Sequence, residues 1–119
     1  MKIRIKGNSL RFRLTQSEVK QLCEKGSVTE QTNFGDTTFG YAVQLDDDKE
    51  TMHATFDAQN ITLFLPKNLG RDWYSNDQVG FQHTQDQLFL LLEKDFTCLD
   101  NTLEDQSDNY PNPKLMTNE

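Results

Sequence analysis

The chain has few apolar residues and no long hydrophobic run. Hydrophobic residues make up 34 % of its 119 positions, whereas compact domains usually contain roughly 45–50 % when glycine is counted. The longest uncharged apolar run, Leu88 to Leu92, is far too short to cross a bilayer as a helix. The N-terminus alternates charged and apolar residues, unlike the continuous apolar segment of a signal peptide. These absences predict a cytoplasmic protein that does not associate with a membrane.

Cysteine and histidine are also scarce, with two residues of each type. Cys23 and Cys98 lie far apart and outside any Cys-x-x-Cys spacing, which is typical of reduced thiols in a cytosolic protein. A pair of Cys98 with His53 or His83 would suit nucleophilic catalysis, but so few residues allow such pairs by chance. The sequence therefore predicts no catalytic residue and leaves open whether the protein is an enzyme.

Positive charge is outnumbered by negative charge after residue 13. Five of the twelve basic residues lie in the first thirteen positions, and the remainder of the chain carries seven basic against nineteen acidic residues. The net charge of −7 is therefore a +5 N-terminal segment joined to a −12 body. A pI near 4.7 implies long-range repulsion of phosphate polymers, so we do not expect a nucleic-acid partner.

The five N-terminal basic residues lie on two predicted strands. They alternate with apolar residues in Lys-Ile-Arg-Ile-Lys at 2–6 and in Leu-Arg-Phe-Arg-Leu at 10–14. Period-two alternation predicts an apolar and a cationic face on each strand. We expect a hairpin register that pairs Gly7 with Leu10 or Lys6 with Arg11, because it keeps both apolar sets on one face. The basic residues of this cationic face are Lys2, Arg4, Lys6, Arg11 and Arg13.

A short helix is predicted directly after these strands. Thr15-Gln16-Ser17-Glu18 has the spacing of a capping box. Val19, Leu22 and Cys23 form a buried stripe on one helix face, where we expect a packed, unreactive Cys23. Gly26 supplies the left-handed residue that ends the helix.

The rest of the body reads as β-structure. The threonine-rich strand at 28–34 could lie at a sheet edge, whereas Leu88–Leu92 is apolar on both faces and predicts a central strand. Because most gaps between strands are only a few residues long, the pattern favours antiparallel pairing. We therefore predict an α+β fold: a mainly antiparallel, strongly bent sheet or partly closed β-barrel, with one short helix after the first two strands. The six further strands are predicted at 28–34, 39–45, 52–56, 61–65, 79–83 and 88–92.

The chain is predicted to form one α+β domain over residues 1–96, followed by an acidic C-terminal tail, 97–119, partly docked on it. Dense carboxylates can gather a hard divalent cation, although their spacing matches no known metal loop. The tail could instead lie across the cationic face as a cover that a partner displaces. The candidate metal ligands are Asp95, Asp100, Glu104, Asp105 and Asp108.

The cationic face has two readings. It could bind a phosphate group, a nucleotide or an acidic peptide, with the guanidinium groups of Arg4, Arg11 and Arg13 as forked donors. Alternatively it is a solvated face, or one neutralised within the protein by Glu30, Glu93 or Asp95. The chain also carries Trp73-Tyr74 beside Arg71, which could form an aromatic platform for a ligand, although such residues more often pin a loop to the core.

Two segments carry a resemblance to a known family. The first is residues 5–14 followed by Ser17-Glu18-Val19, and the second runs from Leu92-Glu93-Lys94-Asp95-Phe96 through Tyr110-Pro111-Asn112-Pro113. Together they resemble small, single-domain proteins of unknown function found mainly in bacteria of the Bacteroides and Flavobacterium type. The resemblance implies a bacterial cytosolic setting and a tail ordered against the body, and it carries over no catalytic or binding residue.

We therefore expect a binding or interaction module. Its cationic face would contact acidic groups of a protein or a small phosphorylated ligand, and the sequence leaves the partner and the oligomeric state open. The alternative is a metal-assisted phosphohydrolase or polyphosphate-binding enzyme that uses the C-terminal carboxylates for a divalent cation. Alternating charged residues inside a compact barrel resemble the charge pattern of the triphosphate-tunnel enzymes. Those enzymes begin with alternating glutamates, and residues 2–6 of this chain contain none. The enzyme reading requires Glu93, Asp95 or Asp100 to converge with Arg4 and Arg13.

Overall fold

The computed structural model describes residues 1–96 and 107–111 of the chain. These residues form eight strands, two short helices and one 3-10 turn. In chain order the elements are β1 (Lys2–Lys6), β2 (Ser9–Leu14), α1 (Gln16–Lys25), β3 (Ser27–Asn33), β4 (Thr38–Asp46), β5 (His53–Asp57), β6 (Asn60–Pro66), α2 (Lys67–Gly70), the 3-10 turn (Trp73–Ser75), β7 (Gly80–Gln85) and β8 (Leu88–Lys94).

The strands form two four-stranded sheets with the same internal arrangement. Sheet I has the order β1-β2-β8-β7, and sheet II has the order β3-β4-β6-β5. Each sheet consists of two antiparallel hairpins whose second strands lie side by side and parallel, β2 with β8 and β4 with β6. The described strands therefore make two mixed sheets.

This arrangement contradicts the predicted fold class. The described residues are mostly β, they do not close into a barrel, and their sheets are not purely antiparallel. Short gaps along the chain do predict the four antiparallel hairpins. They carry no information about how one hairpin pairs with another, and that pairing is parallel in both sheets. The prediction of a central strand at Leu88–Leu92 is confirmed, since β8 lies between β2 and β7.

The first hairpin has a different register from the predicted one. Lys6 pairs with Ser9 and Arg4 pairs with Arg11, which is a shift of two residues. Gly7, at φ 53°, and Asn8 form a two-residue turn, so Ser9 belongs to β2. A shift of two preserves the faces because the side-chain period is also two. The predicted segregation of apolar and basic residues is therefore confirmed.

Helix α1 forms as its sequence predicts. The Thr15 amide donates to Glu18 Oε1 at 2.9 Å, which completes the capping box. Gly26 ends the helix at φ 87°, and its amide donates to the Leu22 carbonyl at 2.9 Å. Val19 and Leu22 are fully buried against the sheets.

One apolar core lies between the inner faces of the two sheets and extends under α1. Phe12 and Leu92 belong to it from sheet I, Leu63 from sheet II, and Trp73 from the 3-10 turn, all without exposed surface. The Gln85 side chain also joins the sheets, accepting from the Ala54 amide at 2.6 Å and donating to the Ala54 carbonyl at 3.2 Å. No described helix is long and apolar enough to cross a membrane.

Residues 107–111 contact the body beside the N-terminus of α1. The Tyr110 amide donates to the Asp95 carbonyl at 2.8 Å, and the Gln16 amide donates to the Asp108 carbonyl at 3.0 Å. Ser17 donates twice to the Asp108 carboxylate, from its Oγ to Oδ2 at 2.6 Å and from its amide to Oδ1. These two hydrogen bonds lower the pKa of Asp108. The division of the chain at residue 97 stays a prediction, because residues 97–106 and 112–119 lie outside the described part.

Candidate anion-binding face

The five basic residues of the cationic face share the outer side of sheet I. The strand registers arrange this side in three rows that cross the sheet. The first row places Lys2 beside Arg13 and then Glu93. The second places Arg4 beside Arg11 and Leu91, and the third places Lys6 beside Ser9 and Phe89. Positive charge therefore covers β1 and β2, and β8 places Glu93 beside it in the first row and the apolar Leu91 and Phe89 in the other two.

Glu93 neutralises the two arginines of β2. Its Oε1 accepts from Arg11 Nε at 2.7 Å and from Arg13 Nε at 2.9 Å, and it lies 2.6 Å from Arg11 Nη2. The Glu93 side chain is 16 % exposed, so water screens this cluster only in part. Two of the five predicted ligand-binding cations are therefore already paired with a carboxylate. The reading in which Glu93 neutralises the face holds for these two residues.

Lys2 and the N-terminal amine are also paired. Lys2 Nζ lies 3.2 Å from Asp95 Oδ2, on a carboxylate that is almost fully buried. The Met1 amine contacts both Glu18 and Glu30. Salt bridges and hydrogen bonds to these two glutamates raise the pKa of the amine, although desolvation, the largest single effect, acts in the opposite direction. Glu30 thus pairs with the chain terminus instead of the cationic face.

Arg4 and Lys6 are different from the other three. Both are exposed, and neither has an acidic group within 4 Å among the described residues. They border an open groove of about 270 Å³ that also includes Ser9, Arg11, Phe89 and Leu91. Phe89 is 38 % exposed although it lies on a central strand. The groove therefore combines two uncompensated cations with an accessible aromatic ring.

The turn end of this groove is held by two linked hairpins. Asn8 Nδ2 donates to the Gln87 carbonyl at 2.5 Å, and the Phe89 amide donates to the Asn8 carbonyl at 3.0 Å. Ser9 Oγ donates to the Lys6 carbonyl at 2.7 Å. These hydrogen bonds tie both turns together and so restrict how far the strands that carry Lys6 and Phe89 can move apart. A rigid surface of this kind loses little entropy when it binds a ligand.

The candidate metal ligands do not come together in the described part of the chain. Asp95 pairs with Lys2, while Asp108 accepts hydrogen bonds from Ser17 at the start of α1. No group of three or more metal-ligating side chains occurs among the described residues. Asp100, Glu104 and Asp105, like Cys98, lie outside the described residues. Glu93 contacts Arg13 and Asp95 pairs with Lys2, and neither carboxylate lies within 4 Å of Arg4 among the described residues. Asp100 lies outside them, so the enzyme alternative stays a prediction.

The remaining candidate residues from the sequence are fully or partly buried in the fold: Cys23, His53, His83 and Trp73. Cys23 donates its thiol to the Gly70 carbonyl at 3.2 Å and packs on the core. His53 stacks on Phe64, with ring centroids 4.6 Å apart, and His83 is partly buried on β7. Trp73 is fully buried and donates its indole N–H to the Gln78 carbonyl at 2.7 Å. The reading of Trp73 as a residue that pins its loop is confirmed.

Sequence reasoning missed the apolar half of the groove. From the sequence alone, Phe89 and Leu91 indicate only a central strand. The alternation itself places them outward, since Leu90 and Leu92 are fully buried. What the pattern does not contain is the parallel pairing of β8 with β2, which sets Phe89 beside Ser9 and Leu91 beside Arg11.

Comparison with known proteins supports one part of the resemblance noted from the sequence, a domain of unknown function. A family model described as "Family of unknown function (DUF7009)" matches residues 1–114. The chain belongs to this family. The region that matches DUF7009 includes both the cationic face and the segment that contacts α1, so these features lie within the region that defines the family. No curated protein and no solved structure matches the chain.

Proposed function

We propose that this protein is a binding module that takes a small phosphorylated ligand in the groove on the outer side of sheet I. One observation carries the proposal: Arg4 and Lys6 are exposed cations without an acidic group within 4 Å among the described residues, and they border the same groove as Phe89. A phosphate that accepts hydrogen bonds from a guanidinium or ammonium group is held by charge-assisted bonds. The bacterial, cytoplasmic setting is part of this proposal. The resemblance noted from the sequence supports its bacterial part, and two cysteines without a Cys-x-x-Cys spacing support its cytoplasmic part.

The apolar side of the groove favours a ligand that carries a planar ring in addition to its phosphate. In the third row, Lys6 and Phe89 lie on strands separated by β2, about 10 Å apart at the normal strand spacing. Ser9, between them, is too small to fill the space above the sheet. A planar ring could therefore rest on Phe89 while its phosphate reaches Arg4 and Lys6, in the manner of aromatic stacking of a base.

An acidic protein surface is the other ligand class that the charge would suit. A groove of about 270 Å³ with a rigid end favours a small molecule, because it contacts few atoms of a flat protein surface. The net charge of −7 further opposes approach of a large polyanion, whereas a single phosphorylated molecule carries little charge to repel.

The test is calorimetric titration at low salt with pyrophosphate, AMP and polyglutamate. We expect AMP to bind the native protein and to lose about tenfold or more in affinity with Arg4→Gln/Lys6→Gln, since one charge-assisted hydrogen bond contributes about 1.5–3 kcal/mol. The matched control is Lys20→Gln/Lys25→Gln, which removes the same charge from two exposed positions of α1. The control should retain nearly all of the affinity.

The three titrants separate the ligand classes. If both double variants weaken AMP binding equally, the effect comes from net charge, and the proposal that the groove binds the ligand is wrong. Binding of polyglutamate alone, lost in Arg4→Gln/Lys6→Gln, would replace the small ligand with an acidic protein. Absence of binding by all three would also overturn the proposal, given the low salt and the protein concentration that calorimetry allows.

A further inference from the structure

A buried lysine lies at the end of β8, away from the groove. Lys94 follows Leu90 and Leu92 on the inner face of the strand and is only 5 % exposed. Its Nζ donates to the Asn76 carbonyl at 2.8 Å. The same atom lies 5.0 Å from the ring centroid of Tyr110 and 5.8 Å from that of Trp73. The amine is therefore held between two aromatic rings and one carbonyl oxygen.

This lysine has no carboxylate within 4 Å among the described residues. Desolvation lowers the pKa of Lys94, and the charge of Asp77 opposes that effect without cancelling it. Tyr110, the remaining titratable neighbour in contact with it, has its own pKa raised to about 12 by burial and stays neutral. A leucine or methionine would continue the apolar pattern of the strand without this desolvation cost.

Lys94 also borders a cavity of about 430 Å³. Aromatic and apolar side chains form much of its wall, and Asp77 lies on its polar side. The wall includes Tyr74, Val79, Phe96 and Tyr110. A buried lysine in an apolar cavity is the arrangement that activates the amine as a nucleophile, because the neutral form is favoured there.

We infer that the Lys94 cavity binds a small aldehyde or ketone with an aromatic or apolar body and that Lys94 forms a Schiff base with it. The neutral amine nitrogen attacks the carbonyl carbon, so the C–N bond forms while the carbonyl π bond opens to a hydroxyl group. One of the two nitrogen protons transfers to this oxygen to complete the carbinolamine. The hydroxyl then takes a proton from solvent and leaves as water, while the second nitrogen proton returns to solvent as the C=N bond forms. Oxidation states do not change, and water is the sole by-product. This site is independent of the groove on sheet I.

The test uses benzaldehyde as the probe and cyanoborohydride to reduce the Schiff base to a stable secondary amine. Peptide mass spectrometry then gives the modification rate at each lysine of the whole protein. We expect Lys94 to be modified several-fold faster at pH 7 than Lys20 and Lys67, which are both exposed. The rate at Lys94 should rise with pH and level off below the ordinary lysine pKa of 10.5. Equal or slower modification of Lys94 would overturn the inference.

Two variants separate a reactive site from a merely buried amine. Tyr74→Ala removes part of the cavity wall at a side chain that is 46 % exposed, so the fold should survive. It should slow modification of Lys94 and leave Lys20 unchanged. An unchanged rate at Lys94 would show that the cavity does not bind the probe. Lys94→Arg keeps a long basic side chain between the rings but removes the amine nucleophile. The fastest-modified position of the protein should then disappear, while the melting temperature is largely retained.

Discussion

Replacing Glu93 with glutamine gives the sharpest test of how the cationic face is held. The glutamate accepts three charge-assisted contacts from Arg11 and Arg13 through one oxygen. Glutamine keeps the shape and the ability to accept a hydrogen bond, but removes the negative charge. Arg11 then faces Arg4 across the strand pair without a compensating carboxylate.

The magnitude follows from the exposure of the three groups. A hydrogen bond to a charged group contributes about 1.5–3 kcal/mol when it is shielded from water. The arginines are 33 % and 39 % exposed and regain hydration, so we reduce the total loss for Glu93→Gln to about 1–2 kcal/mol. An unfolding entropy of about 2.1 cal/mol/K per residue gives about 0.25 kcal/mol/K for 119 residues. The melting temperature should therefore fall by about 4–8 °C.

Anion binding should change in the opposite direction. Glu93 lies two strands and two residues from Arg4, which is about 12 Å at normal sheet spacing. A doubly charged phosphate at Arg4 is then repelled by Glu93 with about 0.7 kcal/mol in water, or about threefold in affinity. Calorimetry at low salt should show this gain, and it should shrink once the Debye length falls below about 10 Å.

Glu24→Gln is the matched control, because it removes one exposed glutamate from α1. It should alter neither the melting temperature nor the affinity appreciably. The reasoning about Glu93 would be refuted by a melting temperature of Glu93→Gln equal to that of the native protein. Weaker anion binding in Glu93→Gln would refute the electrostatic argument for the groove.

Four further outcomes are expected. Phe12→Ala should lower the free energy of unfolding by about 3–5 kcal/mol in chemical denaturation, because the side chain is fully buried on a central strand. Gly80→Ala should cost about 1–3 kcal/mol, with Gln82→Ala nearly neutral, because a Cβ at Gly80 would lie 2.4 Å from the Leu92 carbonyl oxygen. Lys94→Met should match or exceed native stability at pH 7. Burial lowers the folded-state pKa of Lys94, so the charged lysine destabilises the folded protein fully below that pKa. This destabilisation decreases as the pH rises towards 10.5, and the stability advantage of methionine should decrease with it. Ultraviolet titration should show the Tyr110 phenol ionising near pH 12.

Local features of this protein follow from short stretches of its sequence. Thr15, Glu18 and Gly26 determine where α1 begins and ends, because capping needs only groups a few residues apart. Alternation over residues 2–6 and 9–14 determines which side chains lie outward. It does so even though the turn at Gly7 and Asn8 sets another register, because a two-residue shift leaves both faces unchanged.

The way the hairpins pair was decided only in the tertiary structure. β2 and β8 are far apart in the chain, and β-strands of similar apolar pattern can pair in several orders and in either direction. Their parallel alignment places Glu93 beside Arg13 and Phe89 beside Ser9. It thereby determines which cations are neutralised and which border the groove. The environment of Lys94 also depends on long-range packing, because the rings of Trp73 and Tyr110 contact it from different parts of the chain. Contacts between distant residues arise from packing both sheets around one core, and periodicity along the chain does not encode them.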